Sequence, residues 1–395
     1  MRFLIFGMLV AMVWALSAAA PGTQEGRAAS AEPVTPGGAL PQWRSAAPGY
    51  VWQFPADLAR HPDYKTEWWY ITGHLQPQDD PKAATLSFQL TFFRVGLTPA
   101  LAPADSSAWS PTDLVMAHAA IGDPATGQHV FSEVIHRATP FLGGFGAAGD
   151  TTLAWVRAPA GTDAAWSLRY REGTFFLTVR DDRRNLRYEL QCTPTRPRLF
   201  HGEGGFSPKT QQGDAGSLYF SSTRMRTHGT VLRAGQEVPV MGSAWLDREI
   251  FTSTLADRQV GWDWFSLNLD DGTDLMLYRL RDADGQEDFA LGTRRRPDGA
   301  TQPMTTDRWR LTPLEFWESP RSGSRYPISW QLKIAGRDAP YYLRATFPEQ
   351  ENVSGLTDIH YWEGAVTVHG AENGPPVGRG FMELTGYGEG SRPPV

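Results

Sequence analysis

The chain has 395 residues, which is enough for two domains with sizeable cores. Its 40 glycines and 30 prolines predict many turns, and therefore many short strands. The formal net charge is −6, whereas a protein that binds nucleic acid usually presents a basic face, so we expect no nucleic-acid partner.

Residues 1–20 have the features of a secretory signal peptide. Arg2 precedes an apolar stretch over residues 3–16, and the small residues Ala18, Ala19 and Ala20 follow it. The apolar stretch is too short to predict a membrane span. We therefore expect cleavage, a secreted or periplasmic protein and no transmembrane span in the mature chain. Residues 21–47 are rich in Ala, Gly and Pro and predict a flexible lead.

Strand patterns recur from Tyr50 onward, separated by turn residues such as those at 78–81 and 122–124. Few segments keep a helical period over a dozen residues, so the pattern is typical of an all-β protein. The strands predicted in the first half are 66–75, 85–94, 114–121, 129–135, 165–170, 174–180 and 186–191.

The second half of the chain repeats part of the first. The segment 262–269 resembles 68–75, and both are followed by a turn and an apolar strand, which lies at 274–281 in the second half. We expect two related β domains, 48–228 and 229–395, joined near 200–240, where residues 201–206 supply glycine hinges. Barrels or curved sandwiches would remove most of the exposed strand edges.

The segment 66–75 packs three adjacent aromatic residues, one acid and one histidine into a predicted strand. Side chains alternate between the two faces of a strand. Trp68, Tyr70, Thr72 and His74 would share one face, and Glu67, Trp69 and Ile71 would share the other. The sequence does not say which face points into a barrel.

Two histidines are candidates for chemistry. His74 lies on the aromatic strand, and His118 lies among small residues that would allow a ligand to approach it. Each is also compatible with a buried histidine that bonds to a carbonyl or carboxylate group. Neither His74 nor His118 takes part in a His-x-His or Glu-x-x-His spacing, so we expect no metal site.

A second candidate group lies at 242–249. On a strand, Trp245, Asp247 and Glu249 would point the same way, with roughly 6.6 Å between alternate residues. Two carboxyl groups beside an indole ring would titrate differently, and one could be a proton donor with a raised pKa. The alternative is a set of ion pairs with Arg248, Arg279 or Arg281.

Cys192 is the only cysteine, so no intrachain disulfide is possible. We expect a packed, unreactive thiol there.

Several segments together resemble the carotenoid 1,2-hydratase-like superfamily, and most closely its secreted AttH-type branch, often labelled "predicted secreted hydrolase". The matching segments are 67–75, 117–119, 245–249, 261–265, 361–366 and 383–387. The resemblance implies two lipocalin-like antiparallel β-barrels packed side by side. It also implies a pocket, within or between the barrels, for an elongated apolar molecule. Carotenoid 1,2-hydratases add water across a terminal isoprenoid double bond without a cofactor.

Hydration of an alkene needs an acid and an environment that tolerates a carbocation. Asp247 beside Trp245 fits both requirements. We therefore expect a hydro-lyase or hydrolase that needs no cofactor and acts on an isoprenoid, polyene or lipid-like molecule. Glu249, His74 and His118 would polarise the substrate or water. The substrate-binding residues would be Glu67, Trp69, Tyr70, Tyr219, Trp245, Trp262 and Trp264.

Two other functions remain open. The first is a periplasmic lipocalin-like carrier of an apolar ligand, which could serve an envelope ABC transporter and would need no acid. The second is a carbohydrate-active protein, suggested by the tryptophans and paired carboxylates.

Overall fold

The computed structural model describes residues 42–388, apart from Pro81, 100–110, Thr254 and Asp358. The predicted signal peptide and most of the predicted lead lie outside these residues. Over the described part, the chain is built of β-strands, with one short 3₁₀ helix at Ala56–Leu58. No helix in that part is both long and apolar enough to cross a membrane.

The first sheet contains thirteen antiparallel strands. They are β1 (Thr66–Pro77), β2 (Leu86–Gly96), β3 (Asp113–Asp123), β4 (Gln128–Arg137), β5 (Gly143–Phe145), β6 (Thr152–Arg157), β7 (Ala165–Arg171), β8 (Thr174–Asp181), β9 (Leu186–Pro194), β10 (Leu199–Phe200), β11 (Phe206–Pro208), β12 (Gly216–Arg233) and β13 (Gln236–Phe251). The main order is β4-β3-β2-β1-β13-β12-β9-β8-β7-β6-β5, and β10 and β11 both pair with β12.

This sheet curls into a nearly closed barrel. From its end strand β4, Ser132 donates a hydrogen bond to Asp181 of β8 at 2.6 Å. His136 of the same strand bonds to the carbonyl oxygen of Arg157 in β6 at 3.1 Å. Side chains of β4 therefore reach strands from the far end of the sheet.

The second sheet contains ten antiparallel strands and forms a half-barrel. They are β14 (Gln259–Leu269), β15 (Asp274–Asp282), β16 (Glu287–Arg295), β17 (Thr301–Pro303), β18 (Trp309–Glu318), β19 (Arg325–Ile334), β20 (Tyr341–Ala345), β21 (Glu351–Val353), β22 (His360–His369) and β23 (Pro376–Leu384). The order is β17-β16-β15-β14-β23-β22-β20-β19-β18, with β21 on β22.

Each sheet has its own apolar core. Trp69, Ile71 and Leu75 of β1 point into the first barrel, while Phe265 and Leu267 of β14 point into the second. Cys192 is also buried in the first core, where burial raises the pKa of its thiol to about 12. It is the packed, unreactive cysteine that we expected.

The repeat predicted from the sequence is visible in the topology. In each sheet the first strand lies between the second and the last, so that β1 is flanked by β2 and β13, and β14 by β15 and β23. Trp68 and Tyr70 face out of the first barrel, as Trp262 and Trp264 face out of the second. The strands predicted from the sequence are all present, most of them a few residues longer than expected.

Two expected boundaries differ from the structure. The expected division between 228 and 229 falls inside β12. The chain passes to the second sheet later, between Phe251 and Gln259, because strands β12 and β13 form a hairpin that belongs to the first sheet. The predicted lead ends before 47, since Trp43 packs on Gly96 and the amide of Arg44 bonds to the carbonyl of Asp63 at 2.8 Å.

Candidate active site between the barrels

The outward face of the first barrel carries a row of polar residues. Strand register places Asp247 of β13, Tyr70 of β1, Thr91 of β2 and His118 of β3 side by side. Because side chains alternate along each strand, all four point away from the barrel core and toward the second sheet. The row forms one wall of the site.

Asp247 is buried, and its carboxylate accepts hydrogen bonds from three side chains. The indole N–H of Trp245 donates to Oδ1 at 2.6 Å, and the hydroxyl of Tyr219 donates to Oδ2 at 2.6 Å. Ser221 also donates to Oδ1. Burial raises the pKa of the Asp247 carboxyl to about 7, although these three donors favour the ionised form.

The cations proposed as alternative partners of this acid lie elsewhere. Arg248 points into the first barrel and pairs with Glu67, while Arg279 and Arg281 pair with Asp263 inside the second. Among the described residues Asp247 has no ion-pair partner. The ion-pair alternative with these arginines is therefore wrong. Arg248 follows Asp247 on the strand and faces the other side, while Arg279 and Arg281 lie on β15 and are already paired with Asp263.

Glu249 is not equivalent to Asp247. Its carboxylate pairs with Lys209 at 2.8 Å and accepts a hydrogen bond from Ser217. Lys209 lies 4.1 Å from the ring centroid of Tyr278. The two carboxyl groups of 245–249 thus have different environments, and Glu249 is held by a cation.

The opposite wall carries two more acids. Glu363 of β22 and Glu383 of β23 are cross-strand neighbours, and Glu383 is also level with Trp264 of β14. Tyr70 donates to Glu363 Oε1 at 2.5 Å, and Trp262 donates to Glu383 Oε1 at 2.9 Å. Tyr70 therefore bridges the two walls.

These acids also titrate abnormally. Burial, together with the neighbouring Glu383, holds the pKa of Glu363 well above its usual range. Burial raises the pKa of Glu383 to about 8. Carboxylates directly opposite each other repel, so this pair favours its protonated forms.

Aromatic side chains surround the three acids. We call Asp247, Glu363, Glu383 and this aromatic wall the interbarrel cluster. The wall consists of Trp68, Tyr70, Tyr219, Trp245, Trp262, Trp264, Tyr278, Phe289 and Phe381. Trp68, Trp262 and Glu383 are only partly buried, so solvent reaches the cluster beside them.

The expected histidines both face the cluster but do not meet. His118 Nδ1 bonds to the hydroxyl of Tyr361 at 2.7 Å. The ring of His74 lies 5.4 Å from that of Phe381 and is tilted against it, and His74 lies opposite Ser87, two rows further along the sheet. Burial lowers the pKa of each imidazole to about 3, so both are neutral.

Several buried polar atoms of this region lack a protein partner. They are Nε2 of His74, Nε2 of His118, Oγ1 of Thr72 and Oε2 of Glu363. Buried polar atoms normally have a hydrogen-bond partner, so such atoms indicate a place for water or a polar group of a ligand.

Two expected substrate-binding residues are not in the cluster. Trp69 points into the first barrel, stacks on Phe145 and donates to the carbonyl of Leu58 at 2.7 Å. Glu67 lies on the same face, paired with Arg94 and Arg248. Strand alternation separates them from Tyr70, whereas Tyr70, Tyr219, Trp245, Trp262 and Trp264 do come together.

Sequence reasoning missed part of the cluster. Glu363, Glu383 and Tyr361 lie in segments that carried the family resemblance, but no role was assigned to them. Lys209 and Ser221 gave no signal, and the segment 201–206 was noted for its glycines and not for His201, because the contacts of these three side chains are with distant strands. Over the described residues, no three His, Cys, Asp or Glu side chains form a group that could hold a metal ion.

Comparison with known proteins agrees with this architecture. The chain resembles a crystal structure of an AttH candidate from Nitrosomonas europaea, with 31% identity, a TM-score of 0.74, and coverage of 87% of this chain and 99% of that one. It also resembles kievitone hydratase from Nectria haematococca in fold, with 16% identity, a TM-score of 0.61, and coverage of 87% and 95%. No match was found among curated proteins. The AttH-like family model matches residues 45–387, and the chain therefore belongs to the AttH-like family.

Proposed function

We propose that the protein is a hydro-lyase, or a related hydrolase, that acts without a cofactor on an apolar isoprenoid, polyene or lipid-like molecule. The observation that carries this proposal is the interbarrel cluster: three carboxyl groups, none of them in an ion pair among the described residues, face one another within an aromatic wall. Carboxyl groups with raised pKa values are suited to proton transfer near neutral pH.

In the proposed reaction, Asp247 transfers its proton to one carbon of a double bond. The positive charge that develops on the other carbon is stabilised by the faces of Trp245, Trp262 and Trp264. Water then forms the new C–O bond and returns one proton to the Asp247 carboxylate, so the acid is regenerated. The neutral Glu363–Glu383 pair would hold that water through the unpartnered Oε2 of Glu363.

Membership of the AttH-like family supports a shared fold but names no reaction. The likeness to kievitone hydratase adds that this fold carries a hydratase in another organism. We also propose that the protein is secreted. It would exchange its ligand with an envelope transporter, since an apolar ligand needs a protein to cross the periplasm.

The test is turnover of an isoprenoid and polyene panel by the full chain, with mass spectrometry detecting the gain or loss of one water. We expect activity to fall as pH rises above about 7, because the protonated form of Asp247 is then lost. Asp247→Asn should lower the rate about 10²-fold or more. The exposed Glu189→Gln on β9 is the control and should match wild type.

The outcomes separate the two leading functions. Equal turnover by wild type and Asp247→Asn would remove Asp247 from the chemistry. A ligand bound tightly and recovered unaltered from both proteins would instead make the protein a carrier.

A further inference from the structure

A chain of hydrogen bonds leads from Asp247 through Ser221 to His201 and Thr293. Ser221 donates to Asp247 Oδ1, and Ser221 Oγ lies 2.6 Å from Nε2 of His201. On the other side of the imidazole ring, Nδ1 lies 2.9 Å from Oγ1 of Thr293. His201, Ser221 and Asp247 are all buried, at 0%, 0% and 2% exposure, so bulk water does not interrupt the chain.

When Asp247 is ionised, the direction of every bond is fixed. Ser221 gives its only hydrogen to the carboxylate, so its oxygen must accept a hydrogen from Nε2 of His201. Nδ1 then carries no hydrogen and accepts one from Thr293. The imidazole is the Nε2–H tautomer.

When Asp247 is protonated, the directions reverse. Among the described residues, the Tyr219 hydroxyl has only Oδ2 as an acceptor, and its oxygen accepts from the indole N–H of Trp264 at 3.0 Å. Ser221, in contrast, can turn its hydrogen to His201, so the new hydrogen sits on Oδ1, which still accepts from Trp245, and points at Ser221. Ser221 must then donate to Nε2 of His201, and Nδ1 carries the hydrogen and donates to Thr293. One proton has been taken up from solution, and the imidazole is neutral in both states.

We propose that His201 is a positioning residue for the acid of the interbarrel cluster, because through Ser221 its tautomer changes whenever Asp247 gains or loses a proton. The two arrangements allow both states of Asp247 to keep every hydrogen bond. The use of this coupling in catalysis rests on the proposed function, but the coupling itself is a property of the protein without substrate.

Neighbouring charges favour a neutral His201. Burial, with Lys209 and Arg295 nearby, holds the pKa of the imidazole well below its usual range. The Tyr219 ring lies 4.3 Å from the imidazole and carries no charge near neutral pH, since burial holds its pKa well above the usual range. The titratable groups that face Asp247 are Tyr70, Tyr219, Glu249, Glu363 and Glu383, whereas the side-chain hydrogen bonds of His201 go to Ser221 and Thr293.

The test is nitrogen NMR of the full chain labelled with ¹⁵N-histidine, recorded from pH 5.5 to 8.5 without substrate. We expect Nε2 of His201 to change from a pyridine-type to a pyrrole-type shift as pH rises, with a midpoint near 7, and Nδ1 to change in the opposite sense. His129, which bonds to Asn352 at 2.7 Å and has its pKa lowered by burial to about 4, is the internal control. It should keep one tautomer throughout.

Two variants test the connection. Asp247→Asn should hold His201 in one tautomer at every pH. Ser221→Ala should leave Asp247 able to titrate while His201 no longer follows it, and the buried Ser222→Ala on the same strand should behave as wild type. A single His201 tautomer in wild type, an imidazolium ion in this range, or an unchanged transition in either Asp247→Asn or Ser221→Ala would overturn the inference.

These results are independent of turnover. A pH-dependent tautomer of His201 without hydration of any substrate would support the coupling between Asp247 and His201 and reject the proposed function. Hydration of a substrate with a fixed tautomer would support the proposed function and reject the coupling.

Discussion

The pKa of a buried acid in this protein depends on whether the acid has a cation as its partner. Glu67 is buried, but Arg248 lowers the pKa of its carboxyl well below the usual value despite the opposing effect of burial. Asp247 is buried to a similar degree without a cation, and the pKa of its carboxyl is raised to about 7. The first acid stabilises a barrel as a permanent ion pair, whereas the second can hold and release a proton near neutral pH.

The raised pKa of Glu383 predicts how the stability of the protein depends on pH. Its pKa is about 8 in the folded protein and about 4.5 without the fold, so between these values the native state binds the extra proton. Stability is therefore greatest below pH 4.5 for this group and is lost as pH rises through 8.

We expect Glu383→Gln to raise Tm at pH 9 by roughly 3 °C or more and to leave it nearly unchanged at pH 5. Differential scanning calorimetry at both pH values measures this, with the exposed Glu315→Gln as control. An equal shift at pH 5 and pH 9 would contradict the assignment of the raised pKa to Glu383.

At the scale of the strand, β1 serves the core and the site at once. Its inward residues fill the first barrel, and its outward residues form the wall of the cluster. Such a strand lies close to both neighbours, as the surroundings of Gly73 show. A Cβ atom there would lie 2.5 Å from the carbonyl oxygen of Ser243 in β13 and 2.5 Å from the ring of Phe88 in β2.

Gly73→Ala should therefore destabilise the protein by about 1–3 kcal/mol, because the backbone of β13 must move. Urea unfolding followed by tryptophan fluorescence measures the loss. Gly144→Ala is the control, because Gly144 also lies in a strand without a positive φ and a Cβ atom there would lie no nearer than 3.7 Å to any atom. A loss at Gly73 no larger than at Gly144 would show that the close approach to β13 does not matter.

At the scale of the whole molecule, a buried aspartate joins the two sheets. Asp274 begins β15 and accepts hydrogen bonds from Arg196 at 2.9 Å and from Arg224 at 2.7 Å, both of which precede the change of sheet after Phe251. Thr223 of β12 adds a third bond at 2.8 Å. The site between the sheets depends on such contacts, because each sheet supplies only one wall.

Asp274→Ala should lower the free energy of unfolding by about 3–5 kcal/mol, since it leaves two guanidinium groups without their carboxylate. Chemical denaturation of the full chain measures the change. The exposed Asp284→Ala, in the turn after the same strand, should shift stability by less than about 0.5 kcal/mol. A small effect at Asp274 would mean that the apolar contacts alone hold the sheets together.

The sequence by itself determined the all-β class, the strands, the internal repeat and the family. These features are local or periodic, so alternating aromatic residues, turn residues and short motifs record them along the chain. It also predicted that Trp245 and Asp247 share one face of their strand and that Trp68 and Tyr70 share one face of theirs. Side chains alternate along any strand, whatever the fold around it.

Only the tertiary structure decided which face of β1 points into a barrel, and it thereby removed Glu67 and Trp69 from the site. It also brought Glu363 and Glu383 opposite Asp247, and His201 behind it. Residue pairs such as Tyr70 and Glu363 are separated by 293 positions in the chain. Contacts of this kind, and the pKa values that depend on them, arise from burial and register across two sheets, which a single sequence does not record.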